Sequence, residues 1–260
     1  MPELPDVEGF RRHYARYAQG KQLRRVQVLD TVLLRNATPQ TAARRLNGRR
    51  LGRGRRWGKW LLVPVGDSTV LLHFGMTGLL KWSSSPDGRP HRHDRLLFET
   101  ADGVLSYRNM RRFGGVWLAR GDAEVAKVTG PLGPDAMDVD EGELARMLSA
   151  RRGGIKAALM DQRLIAGIGN LLSDEVLWRS HIHPTRPANG LAEREVRRLD
   201  RELRQTIVAC NRRGRIPGDP GWLTRVRGLR GAECPHCGTR LERGTIAGRT
   251  ACWCPRCQRA

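Results

Sequence analysis

The stretch LIAGIGNLLSDEVLW, residues 164–178, sets two glycines and an asparagine between two helical segments. Gly167 and Gly169 allow a tight turn, and Asn170 suits the N-cap of the helix that follows. Successive backbone N–H groups at such a turn form an anion nest, which suits a DNA phosphate. Lys156, on the preceding helical run, could close on the same phosphate. A plain helix–helix corner explains the glycines equally well, so these residues alone leave the ligand open.

Outward from this turn, the pattern is helical from Glu141 to about Arg213, through GELARMLSA, IKAALMDQ, NLLSDEVLWRS and EREVRRLDRELRQTIVAC. TGPLGPDAMD (129–138) reads as a linker. Upstream of it, residues 1 to about 128 read as β-rich behind one leading helix. KQLRRVQVLDTVLLR alternates like a strand. TPQTAARRLNGRRL has a Thr cap, a first-turn Pro and a Gly exit, and so predicts a short helix. The runs KWLLVPV, TVLLHFGM, GLLKWS, DRLLFET and GVLSYRN predict strands, separated by turn signals that include Ser85-Pro86-Asp87-Gly88. This arrangement suggests a sandwich of two sheets.

Downstream, the stretch from Arg212 to Gly231 is rich in Gly, Pro and Arg and irregular. Beyond it, Cys234 and Cys237 form one CxxC pair, and Cys254 and Cys257 form a second, with a hairpin-length spacer between them. Two such knuckles supply four thiolates for one tetrahedral Zn²⁺, and with every ligand position filled the ion is structural. A pair of redox CxxC motifs is the weaker reading, because neither sits in a strand–helix context. Cys210 and Cys252 lack partner spacing and read as packed residues. The intervening hairpin carries Arg243, Arg249 and Arg256. Arg249, just after Gly248 at the turn, is placed to enter a groove or grip a phosphate.

The chain of 260 residues carries 47 Lys+Arg against 26 Asp+Glu, a formal charge of +21, and its pI is about 11.3. That excess makes a polyanion the default partner. No apolar run approaches the roughly 18 residues of a spanning helix. The acidic, Pro-broken start PELPDVE is no signal peptide. The expected setting is therefore the cytoplasm, on the nucleoid of a bacterium, where reduced cysteines bind metal. Nothing in the chain points to an oligomer, and a monomer is expected.

At that start, Pro5 suits a first helical turn and Asp6 and Glu8 the positive end of the helix. Pro2 and Glu3 are not explained this way. Removal of Met1 would expose Pro2 as a secondary amine, and an α-amino group titrates near 7.7–8, leaving a usable neutral fraction at pH 7. Such an amine can attack a sugar C1′ and form an iminium, and Glu3 can serve as general acid or base beside it.

With PELPDVE, GRRWGKWLL, HFGMTG, MRRFGG, IKAALMD…GIGN and the terminal four-Cys finger, in that order, the chain resembles the formamidopyrimidine-DNA glycosylase/endonuclease VIII family. The resemblance covers essentially the whole chain. It implies an α+β protein: an N-terminal β-sandwich with a leading helix (1–128), a helix–two-turn–helix DNA-binding domain (129–217) and a β-hairpin zinc finger (218–260). It also implies base-excision repair of double-stranded damaged DNA by a glycosylase with AP-lyase activity. Pro2 would be the nucleophile, Glu3 the proton donor, and Lys59 a phosphate contact that assists catalysis. Met76, Arg111 and Phe113 would fill the gap left by a flipped nucleotide. Gly169, Asn170 and Arg249 would grip flanking phosphates with help from Lys156. A base must leave the stack before C1′ can be attacked, so wedges of this kind make physical sense. Met76 and Phe113 could instead be core residues, but flanking glycines favour exposed turns. His73, on the strand leading to Met76, reads as packed.

The chain departs from the formamidopyrimidine branch at Asp6, where that branch usually has Glu, at Met110, where it commonly has Pro, and in a short segment between Asn211 and Cys234. Oxidised purines lead as substrates, with oxidised pyrimidines or a bulky adduct as alternatives. A non-catalytic damage binder would be expected to have lost Pro2 or Glu3, and both are present.

Overall fold

The computed structural model describes residues 1–84 and 89–259, so the expected Ser85–Gly88 turn lies outside the described residues. The chain falls into two compact units, Met1–Pro2 with Asp6–Pro131, and Glu3–Pro5 with Leu132–Ala260.

The first unit takes most of α1 (Leu4–Tyr17), then β1 (Arg25–Val28), a 3₁₀ turn at Thr31–Leu33, and α2 (Pro39–Leu46). The strands β2 (Arg55–Trp57), β3 (Trp60–Val65), β4 (Ser68–His73), β5 (Gly78–Ser83), β6 (Asp94–Thr100), β7 (Gly103–Asn109) and β8 (Gly115–Ala119) follow, and α3 (Gly121–Thr129) closes the unit. They form two antiparallel four-stranded sheets, β1-β6-β7-β5 and β2-β3-β4-β8. Alternation decides which residues face inward: Leu96, Phe98, Leu105 and Tyr107 of one sheet meet Leu61, Val63, Val70, Leu72, Val116 and Leu118 of the other. The expected sandwich is present. On its outer side, Val125 and Val128 of α3 cover Leu62, Leu71 and Ala119.

Two local readings change. The alternating run 21–35 is a strand only at Arg25–Val28, because Asp30 accepts from the Val32 N–H and turns the chain into the 3₁₀ segment. The strands β2 and β8 and the helix α3 carry too short or too weak an alternation to stand out in the sequence. Helix α2 matches its signals: the Thr38 hydroxyl accepts from the Thr41 N–H at 3.1 Å, and Pro39 opens the helix.

The supposed linker 129–138 is not free: its first three residues end the first unit, and Leu132 opens the second. Asp135, Ala136 and Val139 are buried, and Ala136 N–H donates to Ala166 O at 2.9 Å. The helices are α4 (Glu141–Ser149), capped by Asp140, α5 (Ile155–Met160), α6 (Asn170–Arg179), α7 (Glu193–Arg213) and α8 (Leu223–Val226). In α7, Val196, Leu199, Leu203, Ile207 and Cys210 form a stripe at helical spacing. Helix α6 is buried all round from Leu172 to Trp178, so its acidic side chains need partners there. The hairpin of β9 (Glu242–Ile246) and β10 (Arg249–Trp253) completes the unit. Among the described residues, no helix is long and apolar enough to cross a membrane.

Candidate functional site

In the first unit, the expected residues gather at one end of the β2-β3-β4-β8 sheet. Lys59 is the second residue of a two-residue turn between the paired Trp57 and Trp60. Trp60 pairs with His73 at the end of β4, and His73 pairs with Gly115 at the start of β8. Burial, helped by the Lys59 charge, pushes the His73 pKa down to about 4. A neutral His73 accepts the Gly75 N–H on Nδ1 at 3.3 Å.

Gly75–Thr77 and Met110–Gly114 form two loops packed backbone against backbone. A Cβ at Gly75, whose φ is +56°, would lie 2.1 Å from the Phe113 carbonyl oxygen, so only glycine permits this approach. Asn109 fastens the pair. Its Nδ2 donates to the Phe113 carbonyl, and its Oδ1 meets the Thr77 hydroxyl at 3.1 Å and accepts from the Arg112 N–H at 3.1 Å. Tyr107 donates to the His73 carbonyl at 2.9 Å and accepts from Asn109 at 3.0 Å. The loops therefore hold Met76 half-buried and leave Phe113 50% exposed, with the Arg111 guanidinium 5.3 Å from the Phe113 ring centroid. Asn109, Thr77 and Tyr107 carry no local sequence signal, and the sequence reading missed them.

In the second unit, the anion nest already holds an anion from the chain itself. The Glu3 carboxylate accepts three backbone N–H groups: Gly169 at 2.9 Å and Leu172 at 3.1 Å on Oε2, and Leu171 at 2.8 Å on Oε1. Both oxygens lie at the positive end of α6, a seat built for a carboxylate. This corrects the expectation of a phosphate on those N–H groups. It also explains why Asn170 is not the cap: Gly169 holds the N-cap position, Asn170 opens the helix, and no side-chain cap bond forms.

The two glycines of the turn serve different ends. Gly167 takes φ +115°, a backbone need, whereas Gly169 is extended and must be glycine because a Cβ would fall 2.3 Å from the Glu3 Cδ. Gln162 stitches the turn, donating to Met160 O and Ile168 O and accepting from Gly167 N–H.

Lys156 is also corrected. It is fully buried, its ammonium on the Asp174 carboxylate and 3.3 Å from Thr250 O, so it does not face a phosphate. Burial lowers the pKa of Lys156 and raises that of Asp174, and each partner's charge opposes the shift. Arg227 completes the group, bonded to Asp174 and 3.1 Å from Thr250 O. Next to Thr250, Arg249 is exposed after the Ala247–Gly248 turn, whose two φ values are +50° and +70°, as a twisted hairpin turn requires.

The Sγ atoms of Cys234, Cys237, Cys254 and Cys257 all lie within 4.8 Å of one another. Cys237 is 3.5 Å from both Cys254 and Cys257. Four sulfurs at about 2.3 Å from a central Zn²⁺ stand roughly 3.8 Å apart, so the donor set fits that ion. Trp178 Nε1–H donates to Cys234 Sγ at 3.3 Å, and Cys257 N–H to Cys254 Sγ at 3.4 Å. These bonds orient the thiolates.

Comparison with known proteins covers all three segments. The family model of the formamidopyrimidine-DNA glycosylase N-terminal domain matches residues 1–116, that of its H2TH domain residues 132–216, and that of the zinc finger found in FPG and IleRS residues 231–260. With the last match, the four cysteines are the ligands of one structural zinc ion. Formamidopyrimidine-DNA glycosylases of Nocardioides sp. and Acidothermus cellulolyticus are 34% and 36% identical, over 100% and 99% of this chain and 95% and 97% of theirs. The crystal structure of the Lactococcus lactis enzyme, bound non-covalently to DNA containing an AP site, superposes with a TM-score of 0.91 at 28% identity over the whole of both chains. By whole-length identity and by all three family models, this chain belongs to the formamidopyrimidine-DNA glycosylase family, whose members are DNA glycosylases and AP lyases.

Proposed function

We propose that the protein excises oxidised bases, purines foremost, from double-stranded DNA and then cleaves the abasic site by β,δ-elimination, working as a monomer in a bacterial cytoplasm or nucleoid. The observation that carries this reading is the seat of Glu3: three N–H donors fix its carboxylate, and the residue bonded to it is Pro2.

In this reading Met1 is removed. The Glu3 carboxylate takes the proton that the Pro2 ammonium must lose, which leaves a neutral amine and an acid one residue apart. The amine attacks C1′ and the glycosidic bond breaks with its electron pair leaving on the base, which ends with the proton the nitrogen loses, while Glu3 gives its proton to O4′ as the C1′–O4′ bond opens to the iminium. The iminium then acts as the electron sink. Loss of the C2′ proton expels the 3′ phosphate, a second elimination expels the 5′ phosphate, and water hydrolyses the imine. Lys59 serves as a phosphate contact. Met76, Arg111 and Phe113 occupy the vacated stack. Asn170 and Arg249 contact flanking phosphates, while Gly169 acts by making room for Glu3. Lys156 acts through Asp174 and Thr250 as a positioning residue for the Arg249 hairpin.

Borohydride trapping tests the chemistry on duplexes carrying an abasic site, 8-oxoguanine or an oxidised pyrimidine. A covalent complex that vanishes in Pro2→Gly and in a form retaining Met1 is expected, with 8-oxoguanine trapped faster than the pyrimidine. Tight duplex binding without any trapping would overturn the reading.

A further inference from the structure

Phe113 and Arg111 project from the surface, so packing of their own side chains does not fix them. Their backbone is fixed from elsewhere, by the segment Asp30–Asn36. This segment docks on β8: Arg35 N–H donates to Val116 O at 2.9 Å, and Asn36 exchanges two hydrogen bonds of 2.9 Å with Leu118.

From that strut two side chains reach the loop. Arg35 donates from Nε and Nη2 to the Gly114 carbonyl at 2.8 and 2.6 Å, and from Nη2 to the Arg112 carbonyl at 3.3 Å. With Asn109 on the Phe113 carbonyl, three consecutive carbonyls are held. The buried Asp30 carboxylate forms ion pairs with Arg112, whose Nε is 2.8 Å from Oδ2, and with Arg95 at 3.5 Å. Arg112 has φ +58°, a conformation that a non-glycine residue keeps only when its surroundings impose it. The geometry also makes room for this clamp, since a Cβ on Gly115 would lie 2.8 Å from Arg35 Cγ and Nε.

We infer that Asp30 and Arg35 are positioning residues that set where the Arg111–Phe113 wedge stands when it replaces a flipped nucleotide. Asp30 pairs with the Arg112 side chain and so tethers the residue that stands between Arg111 and Phe113. Arg35 locks the peptide groups that flank Phe113. The inference rests on the wedge role proposed above.

Because a single-stranded abasic oligonucleotide leaves no stacked void to fill, the ratio of duplex to single-strand cleavage isolates the wedge. Asp30→Asn, Arg35→Lys and Phe113→Ala are compared, each with its thermal melt and the salt dependence of duplex binding. A fall in the ratio of about tenfold or more is expected in all three, following the cost of small displacements in catalytic geometry. In Asp30→Asn and Arg35→Lys, single-strand cleavage should stay within about twofold of the parent and serves as the reporter of a folded chain. If Phe113→Ala leaves the ratio unchanged, the wedge reading falls and the positioning role with it. If Phe113→Ala lowers the ratio and the other two do not, the wedge stands and the positioning role is overturned. If replacing Arg35 flattens the slope of log K against log salt by about 0.9, Arg35 is a phosphate ligand instead of a clamp.

Discussion

The loop pair at Gly75 and Gly114 and the turn at Gly167–Asn170 both bring glycine against a neighbouring group, yet they work in opposite senses. In the first unit, side chains grip the backbone: Arg35 and Asn109 hold carbonyls, and the side chains of Arg111 and Phe113, proposed above as a wedge, stay exposed. In the second, backbone grips a side chain: three N–H groups hold Glu3, which is fully buried. One arrangement leaves side chains exposed on a fixed backbone, and the other buries a side chain on a fixed backbone. The difference teaches that a Gly-rich turn has a role only once the atom nearest its missing Cβ is known.

The zinc module is a third arrangement, in which a metal holds the base of the hairpin that carries Arg249, and its removal has the largest expected effect. Structural zinc contributes on the order of 10 kcal/mol, whereas the apolar cluster around the site is small. Chelation, or Cys254→Ser, should release the β9–β10 hairpin, raise its amide exchange and abolish duplex binding. Unchanged exchange after the metal is gone would show that the hairpin presents Arg249 without it.

Gly169→Ala breaks the fixed group directly. Its Cβ displaces the Glu3 carboxylate, and loss of an oriented acid–base group should lower cleavage by about 10²–10⁴-fold while duplex binding persists. Gly75→Ala breaks the presenting loop instead, through strain of roughly 1–2 kcal/mol at positive φ plus the clash with the Phe113 carbonyl. It should lower the melting temperature and duplex cleavage while sparing single-strand cleavage. Equal losses on both substrates for both variants would mean that the two glycine sites do the same job.

Another effect comes from pH, and it bears on stability alone. His73 is favoured neutral in the folded chain, with a pKa near 4 against the usual 6.5. The unfolded chain therefore binds the extra proton first as pH falls. The stability that His73 contributes is complete above pH 6.5 and is lost progressively toward pH 4, up to about 3 kcal/mol. His73→Gln should flatten that part of the stability curve in urea titrations. An unchanged slope would assign the acid lability to other groups. Smallest of all, Thr38→Ala removes only the α2 cap. It should cost about 1 kcal/mol with no change in the duplex-to-single-strand ratio, a baseline for the loop variants.

Much of this was legible in the sequence because the signals were local. Cys234, Cys237, Cys254 and Cys257 declare their chemistry by type and spacing, and the sheet strands by alternation. The glycines beside Met76 and Phe113 marked turns correctly. What stayed hidden depends on partners far along the chain. The occupant of the anion nest lies 166 to 169 residues away from the N–H groups that hold it. Lys156 could face in or out on a helix, and Asp174 with Arg227 decides for in. Asn170 lost the cap role because Glu3 had already supplied the anion. The 129–138 segment looked like a linker from its Pro and Gly content, but its first three residues close the first unit and a bridge from Asp135 to Ala166 ties the rest into the second.

The distance between Glu3 and its seat also bears on biosynthesis. Leu172 is made 169 residues after Glu3, which at 5–20 residues per second is roughly 8–34 s later. Every residue of the Asp6–Pro131 unit has been polymerised before then. For that interval the sandwich can form on the nascent chain while the acidic group beside Pro2 has nothing to hold it. A ribosome-bound fragment ending before the α6 turn should therefore present a finished Arg111–Phe113 loop and an unseated Glu3, so that the proposed cleavage waits for α6 to be made.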